Sequence, residues 1–157
     1  MDTSVLIAFY SELARPELLL SLHDHGFRLY VPKAVYEEFM DDVNFKHLET
    51  HVKNGYYTIL GNIPENDVYR LKLKFPSLGD GEIEVIWWGL KFENCFCVLD
   101  DKKANKSAKS MGLKVTGTIG ILRILAEMGV ISESEKRKLC VELIERGFRF
   151  PKEKCFE

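Results

Sequence analysis

The sequence predicts an α/β fold built on parallel strands, and three observations predict it. The stretch CFCVLD, from Cys95 to Asp100, opens with a continuous apolar run, as strands buried on both faces of a parallel sheet do. A helical stretch, KKANKSAKSMG, and a second short strand, LKVT, follow it, an order that requires a right-handed crossover between parallel neighbours. Pro and Gly punctuate the rest at short intervals, separating elements of ordinary length. A length of 157 residues suits one domain, 1–157, with a real core, and the net charge of −2 supplies no global basic field. Any nucleic-acid partner would have to be gripped by a local patch.

The elements follow in order. TSVLIAFYSELA is ambiguous: Val5, Leu6 and Ile7 could form a strand, or Ser4 could cap a helix. RPELLLSLHDHG reads as a helix, with Pro16 in its first turn and Gly26 ending it. RLYVP is a short strand stopped by Pro32, and KAVYEEFMDDV a helix starting after that proline. FKHLETHVKNG is a helix ending near Gly55, YYTIL a strand, and PENDVYRLKLKF a helix with Pro64 at its start. In GDGEIEVIWWGLKFEN the positions Ile83, Ile86, Trp87 and Leu90 give an apolar stripe at helical spacing. KKANKSAKSMG closes at Gly112, GTIGILRILAEMGVI is helical in its middle, and Ser132 with Glu135 marks a capping box opening SESEKRKLCVELIERG.

Several classes are excluded. There is no GxSxG and no GxxxxGK, so neither a nucleophile elbow nor a phosphate-binding P-loop is present. No apolar run approaches the roughly 20 residues of a membrane span. The four cysteines (Cys95, Cys97, Cys140, Cys155) lack zinc spacing and read as small buried hydrophobes of a reduced, cytoplasmic protein, with Cys95 and Cys97 facing the same side of their strand. His47 and His51, four apart on a helix, have no third ligand and read as a surface pair; His23 and His25 frame a helix end.

The acidic residues carry more. Asp100 and Asp101 end an apolar strand, and ligands of open α/β sheets sit outside such carboxyl ends. Either acid could simply N-cap the next helix. Asp2 opens the first apolar run, Glu37 and Glu38 follow YVP, and Glu82 lies in the first turn after GDG. If these carboxylates converge, pairs about 4 Å apart repel by roughly 4 kcal/mol at an effective dielectric near 20. Protons or hard cations, Mg²⁺ or Mn²⁺, would have to relieve that repulsion. Lys102, Lys103, Lys106 and Lys109 crowd the helix just beyond, where they could draw phosphates or form a plain solvated face.

The ordered pieces DTSVLIAF, YVPKAVYEEF, LGDGEIEVI and CVLDDKKANKSAKSMGLKVTGTIGILRILAEMGVI resemble the PIN-domain superfamily. The likeness is to a prokaryotic nucleic-acid-binding branch related to VapC-type toxin ribonucleases. It runs over about 2–131, leaving a C-terminal helix and tail at 132–157. The resemblance implies a three-layer α/β sandwich with a central, mainly parallel sheet flanked by helices. It implies Mg²⁺ or Mn²⁺ held by Asp2, Glu38, Glu82 and Asp101, with Asp100 as alternative or second ligand. Ser4 and Thr116 become polar neighbours of an RNA phosphate, beside Lys102, Lys103 and Lys106. A metal-dependent ribonuclease is thus expected, with a small antitoxin and a homodimer as the partners the toxin likeness adds. One departure stands out: only Met1 precedes Asp2, where relatives place an apolar first strand, so that strand is expected to be clipped or to begin upstream. The alternative function is a binding module for RNA or protein whose metal site has degraded.

Overall fold

Two separate parallel ladders form the middle of the computed structural model, which describes residues 1–157. Strand β1 (Leu29–Pro32) pairs with β2 (Tyr57–Leu60), in a register that sets Leu29 opposite Tyr57. Strand β3 (Cys97–Val98) pairs with β4 (Val115–Thr116), Cys97 opposite Val115. The expected α/β class with parallel strands among helices holds, but the ladder is interrupted at its centre. Met1 and Asp2 alone span the interruption: the Met1 nitrogen donates to Tyr30 O at 3.2 Å and Asp2 N–H donates to Val98 O at 3.0 Å. Consecutive residues bonding to opposite sides is how a strand behaves. Met1–Asp2 is therefore a stub of a central strand, giving the spatial order β2, β1, stub, β3, β4.

The ambiguous N-terminal stretch is helical. Helix α1 (Thr3–Ile7) runs into a wider π-type turn at Ala8–Glu12. Asp2, not Ser4, stands at its N-cap. Helix α2 (Glu17–Asp24) ends at Gly26, whose φ of +95° is open to glycine at little cost. Helix α3 (Lys33–Phe39) stops short of the expected Val43, because Asp42 turns its carboxylate to Ser11 Oγ and to Asn44 N–H, 2.9 and 2.8 Å away. Helices α4 (Phe45–Lys53), α5 (Glu65–Lys74) and α6 (Asp80–Lys91) follow. After β3 come α7 (Lys102–Ser110), α8 (Thr118–Glu127), α9 (Glu133–Glu145) and a final 3-10 turn, Lys152–Phe156. Helices α3 and α6 pack on β1, while α7 and α8 pack on β4. Side chains such as Phe9, Phe39, Ile86, Leu99 and Leu125 fill one continuous core between them.

Several expectations change. The apolar face of α6 is Ile83, Val85, Ile86 and Gly89, while Leu90 is 41% exposed. Trp87 is only partly buried, its Nε1–H donating to Asp67 at 3.0 Å. Strand β3 is not buried on both faces: Cys97 and Leu99 are, but Phe96 is 54% exposed beside the break in the sheet. His51 is not a surface imidazole, since its Nδ1 lies 2.7 Å from Tyr10 Oη. Cys140 and Cys155 are bonded as a disulfide, so the reading of four reduced cysteines fails for that pair. It ties the C-terminal turn to α9, where the nearly buried Lys136 also reaches Glu133 and Glu157 O. Of the expected capping box at α9, one half forms: Ser132 Oγ accepts from Glu135 N–H at 3.0 Å, while the Glu135 carboxylate pairs with Arg15 instead. No helix is long and apolar enough to cross a membrane.

Gly89 tests the packing of α6 on β3. A Cβ there would overlap Cys97 Sγ and lie 3.1 Å from Leu113 Cδ1. Alanine gains about 1 kcal/mol of helix propensity but overpacks a closed site by about 1–3 kcal/mol. Gly89→Ala is expected to lower the urea midpoint; a midpoint unchanged or raised contradicts this packing.

Candidate metal and nucleic-acid site

Every strand in the order above hands over to a helix at the same end of the sheet, which puts the acids of four separate segments side by side. Asp2 ends the stub. Asp100 and Asp101 end β3. Glu38 rides on α3, which follows β1 directly, and Glu82 stands in the first turn of α6.

Asp2 is the most buried of them, 6% exposed, with Ser4 Oγ 3.4 Å from its Oδ2. Burial pushes its carboxyl up to about 6, with the charges of Glu82 and Glu38 adding to the rise and the Thr3 backbone N–H and the α-amino group opposing it. Glu82 is raised too, by burial first and by Asp101 and Glu38 next, while a hydrogen bond from Gly79 N–H holds it down. That bond, 3.1 Å to Oε1, is the back-reaching half of a capping box; Gly79 has no side chain to supply the other half. The second oxygen of Glu82, Oε2, is buried without any partner. Mutual effects thus join Asp2, Glu38, Glu82 and Asp101 into one acidic cluster.

Glu38 is held from two sides. Its Oε1 accepts from Gly81 N–H at 3.0 Å and its Oε2 from Thr3 Oγ1 at 2.5 Å, so one carboxylate joins α1, α3 and α6. A Cβ at Gly81 would sit 2.9 Å from both oxygens, which is why the GDG stretch has glycine there. Glu37 points elsewhere, to Lys33 at 3.7 Å, which separates the two adjacent glutamates that the helical pattern left equivalent. Asp101 is the N-cap of α7: Oδ1 accepts from Ala104 N–H at 2.9 Å, and its second oxygen is free.

Asp100 does a different job. Its Oδ1 accepts from Thr118 N–H at 2.7 Å and its Oδ2 from Thr118 Oγ1 at 2.5 Å, stapling the end of β3 to the first turn of α8. Burial raises this carboxyl, with both Thr118 bonds opposing. Its charge is not among those that raise Asp2 or Glu82, which sets it apart from the other four acids. Thr116 is not part of the cluster either; it lines an apolar cavity beside the sheet, and its Oγ1 packs against Gly120. Thr3, Gly79, Gly81 and Thr118 hold these acids in place and were not singled out by residue type; Thr3 lies inside the DTS motif and the two glycines inside GDG, while Thr118 carried no signal.

Lys102, Lys103, Lys106 and Lys109 are exposed on α7, immediately past Asp101, and none forms an ion pair. A short positive ridge therefore borders the acidic cluster. The cluster's chemistry fits a hard divalent cation: oxygen donors only, one buried oxygen lacking a partner, and a carboxyl held partly protonated near neutral pH. In their present positions no three acids, histidines or cysteines surround a point as an ion's ligands do.

The family model described as a PIN domain matches residues 1–157. No curated protein and no solved structure matches the chain.

The Asp2 shift has a consequence for stability. The folded state binds this proton more tightly than the unfolded chain does, so the stability it confers is full below about pH 4 and lost as pH rises through about 6. A rise of about two pKa units corresponds to a cost on the order of 3 kcal/mol for the ionised form. Without divalent ions, thermal melts should show stability falling between pH 4 and 7, with Asp2→Asn falling less steeply. Parallel slopes for the two proteins would contradict the burial of this carboxyl.

Proposed function

Because the chain belongs to the PIN-domain family, whose members are generally nucleases, we propose that it is a Mg²⁺- or Mn²⁺-dependent endoribonuclease hydrolysing RNA phosphodiester bonds. The observation that carries the reading is Glu82 Oε2, a buried carboxylate oxygen without a partner, set among three other acids. Asp2, Glu38, Glu82 and Asp101 would hold the ion. A carboxylate offers about four acceptor sites, so Glu38 and Asp101 can keep their backbone hydrogen bonds and still donate to a cation. When bound, a divalent ion supplies a hydroxide near neutral pH and offsets charge developing on a phosphodiester.

The chain's own residues do the rest. Asp2 gives up its proton as the site fills. Thr3 and Gly81 keep Glu38 aimed across the cluster. Lys102, Lys103 and Lys106 bind phosphates of the RNA, and Ser4, beside Asp2, is a further polar contact for the strand being cut. A toxin role, with a small antitoxin whose tail covers the acids and a homodimeric assembly, extends this proposal and rests on the resemblance alone.

A second reading, a binding module that grips RNA without cutting it, is favoured by the absence of a ready coordination geometry. One assay separates the two. End-labelled RNA is incubated with the protein and Mn²⁺, with EDTA, and with Asp101→Asn, which keeps the helix cap but removes the charge. The nuclease reading expects cleavage that EDTA abolishes and Asp101→Asn lowers by about 10–100-fold. Cleavage surviving both controls contradicts it, and RNA retained uncut supports the module.

A further inference from the structure

Outside the acidic cluster, side chains from three elements meet in a line. Tyr10 lies in the π-type turn, His51 on α4 and Tyr57 on β2. Tyr10 Oη is 2.7 Å from His51 Nδ1 and 3.1 Å from Tyr57 Oη. Both tyrosines are 3% exposed, and Tyr57 Oη has no other partner. His51 is half-buried, with the Tyr10 ring 5.6 Å and the Tyr56 ring 6.2 Å from its own.

Counting protons along the line shows what it does. Burial keeps both phenols protonated: Tyr10 is pushed up to about 12, and Tyr57 is raised well above its ordinary range. Two hydroxyl protons, free to rotate, and one ring nitrogen therefore share the line. With Nδ1 bare, Tyr57 donates to Tyr10 and Tyr10 donates to His51, and both hydroxyl protons have acceptors. A neutral imidazole takes this form by carrying its proton on Nε2. A charged imidazole cannot. Its Nδ1–H donates to Tyr10, Tyr10 turns its proton to Tyr57, and the Tyr57 proton is left in the core without an acceptor. A buried donor without a partner destabilises the state that creates it.

Nothing nearby offsets a charge on His51, since none of the ion pairs includes it. The titratable groups around it are Tyr10 from the π-type turn, Tyr57 and Tyr56 from β2 and its lead-in, and His47 one turn back on α4. His23 of α2 stands behind Tyr56, its ring 5.2 Å away, and Glu49 and Lys53 of α4 pair with each other at 3.7 Å. Burial first, and His47 next, hold the imidazole below its ordinary range. We infer that this line is an acid-sensitive latch, which fastens α4 to the π-type turn and β2 while His51 is neutral and releases α4 when His51 takes a proton. The release is local, because the segment ahead of α4 keeps its own tie to the same turn, Ser11 Oγ donating to Asp42 at 2.9 Å. The folded state binds the His51 proton less tightly than the unfolded chain does. The latch therefore holds fully above the ordinary imidazole value, about 6.5, and is lost as pH falls through the lower folded value. The inference rests on this line of hydrogen bonds and not on the nuclease reading.

Two NMR readouts on the full chain test it. At pH 8 the imidazole nitrogen shifts should place the His51 proton on Nε2. Between pH 8 and pH 5 the protection of the α4 amides against hydrogen exchange should fall by about tenfold, in step with the titration of His51, while protection in α8 holds. Comparing two helices of one molecule removes the global effect of Asp2, which runs in the opposite direction with pH. His51→Asn offers Tyr10 an acceptor but takes no proton, so α4 protection should lose its pH dependence; His47→Asn, at an exposed position, should retain it. A proton on Nδ1 at pH 8, α4 protection that ignores the titration of His51, a fall that persists in His51→Asn, or one abolished by His47→Asn would each overturn the proposal.

Discussion

Two hydrogen bonds, from the Met1 nitrogen to Tyr30 O and from Asp2 N–H to Val98 O, are the only backbone link across the middle of this fold, and the rest follows from them. They make a single β-type step out of two residues. That step sets the distance between the ladders, and it delivers Asp2 to the end of the sheet where the other strands also finish. A ladder of four or five such bonds would fix the position by repetition; here two bonds share the task with burial of Met1 and Asp2. Met1 lines the apolar cavity beside the sheet, while Asp2, the next residue, faces the acidic cluster.

The cluster shows how backbone amides can organise like charges. Glu38, Glu82 and Asp101 each accept a hydrogen bond from a main-chain N–H, two of them at the first turn of α6 and one at that of α7, where unpaired donors and the helix dipole favour anions. Asp2 has the Thr3 backbone N–H and the α-amino group on its side, but its deeper burial outweighs them, and it is the one pushed furthest from its ordinary range. The arrangement stores repulsion that a proton relieves in part and a divalent ion relieves more fully. Asp100, one residue from Asp101, avoids this tension by bonding Thr118 twice and serves the fold instead.

Local signals in the sequence located much of this. Pro32 and the apolar alternation before it mark β1, Pro64 opens α5, Gly26 and Gly112 close their helices, and Ser132 caps α9 as its spacing suggests. The order of the acids along the chain, each placed after a strand or at a helix start, was legible for the same reason. What was not legible depends on partners distant in the chain. Glu37 and Glu38 are separated only by Thr3 and Gly81, which lie 35 and 43 residues away from Glu38. Asp100 and Asp101 are indistinguishable until Thr118 takes one of them. The pairing of Cys140 with Cys155 has no local pattern to announce it, and neither has the exposure of Phe96 beside the buried Cys97.

The central claim is that folding gathers these acids into one anionic pocket whose charge a divalent ion takes over from a proton. Titrating Mn²⁺ into the protein at pH 6 by calorimetry, in two buffers of different ionisation heat, counts the protons released per ion bound. With Asp2 titrating at about 6, the account predicts release of about half a proton there and little at pH 8, and loss of the release at pH 6 in Asp2→Asn. Binding without proton release, or no saturable binding at all, would contradict it.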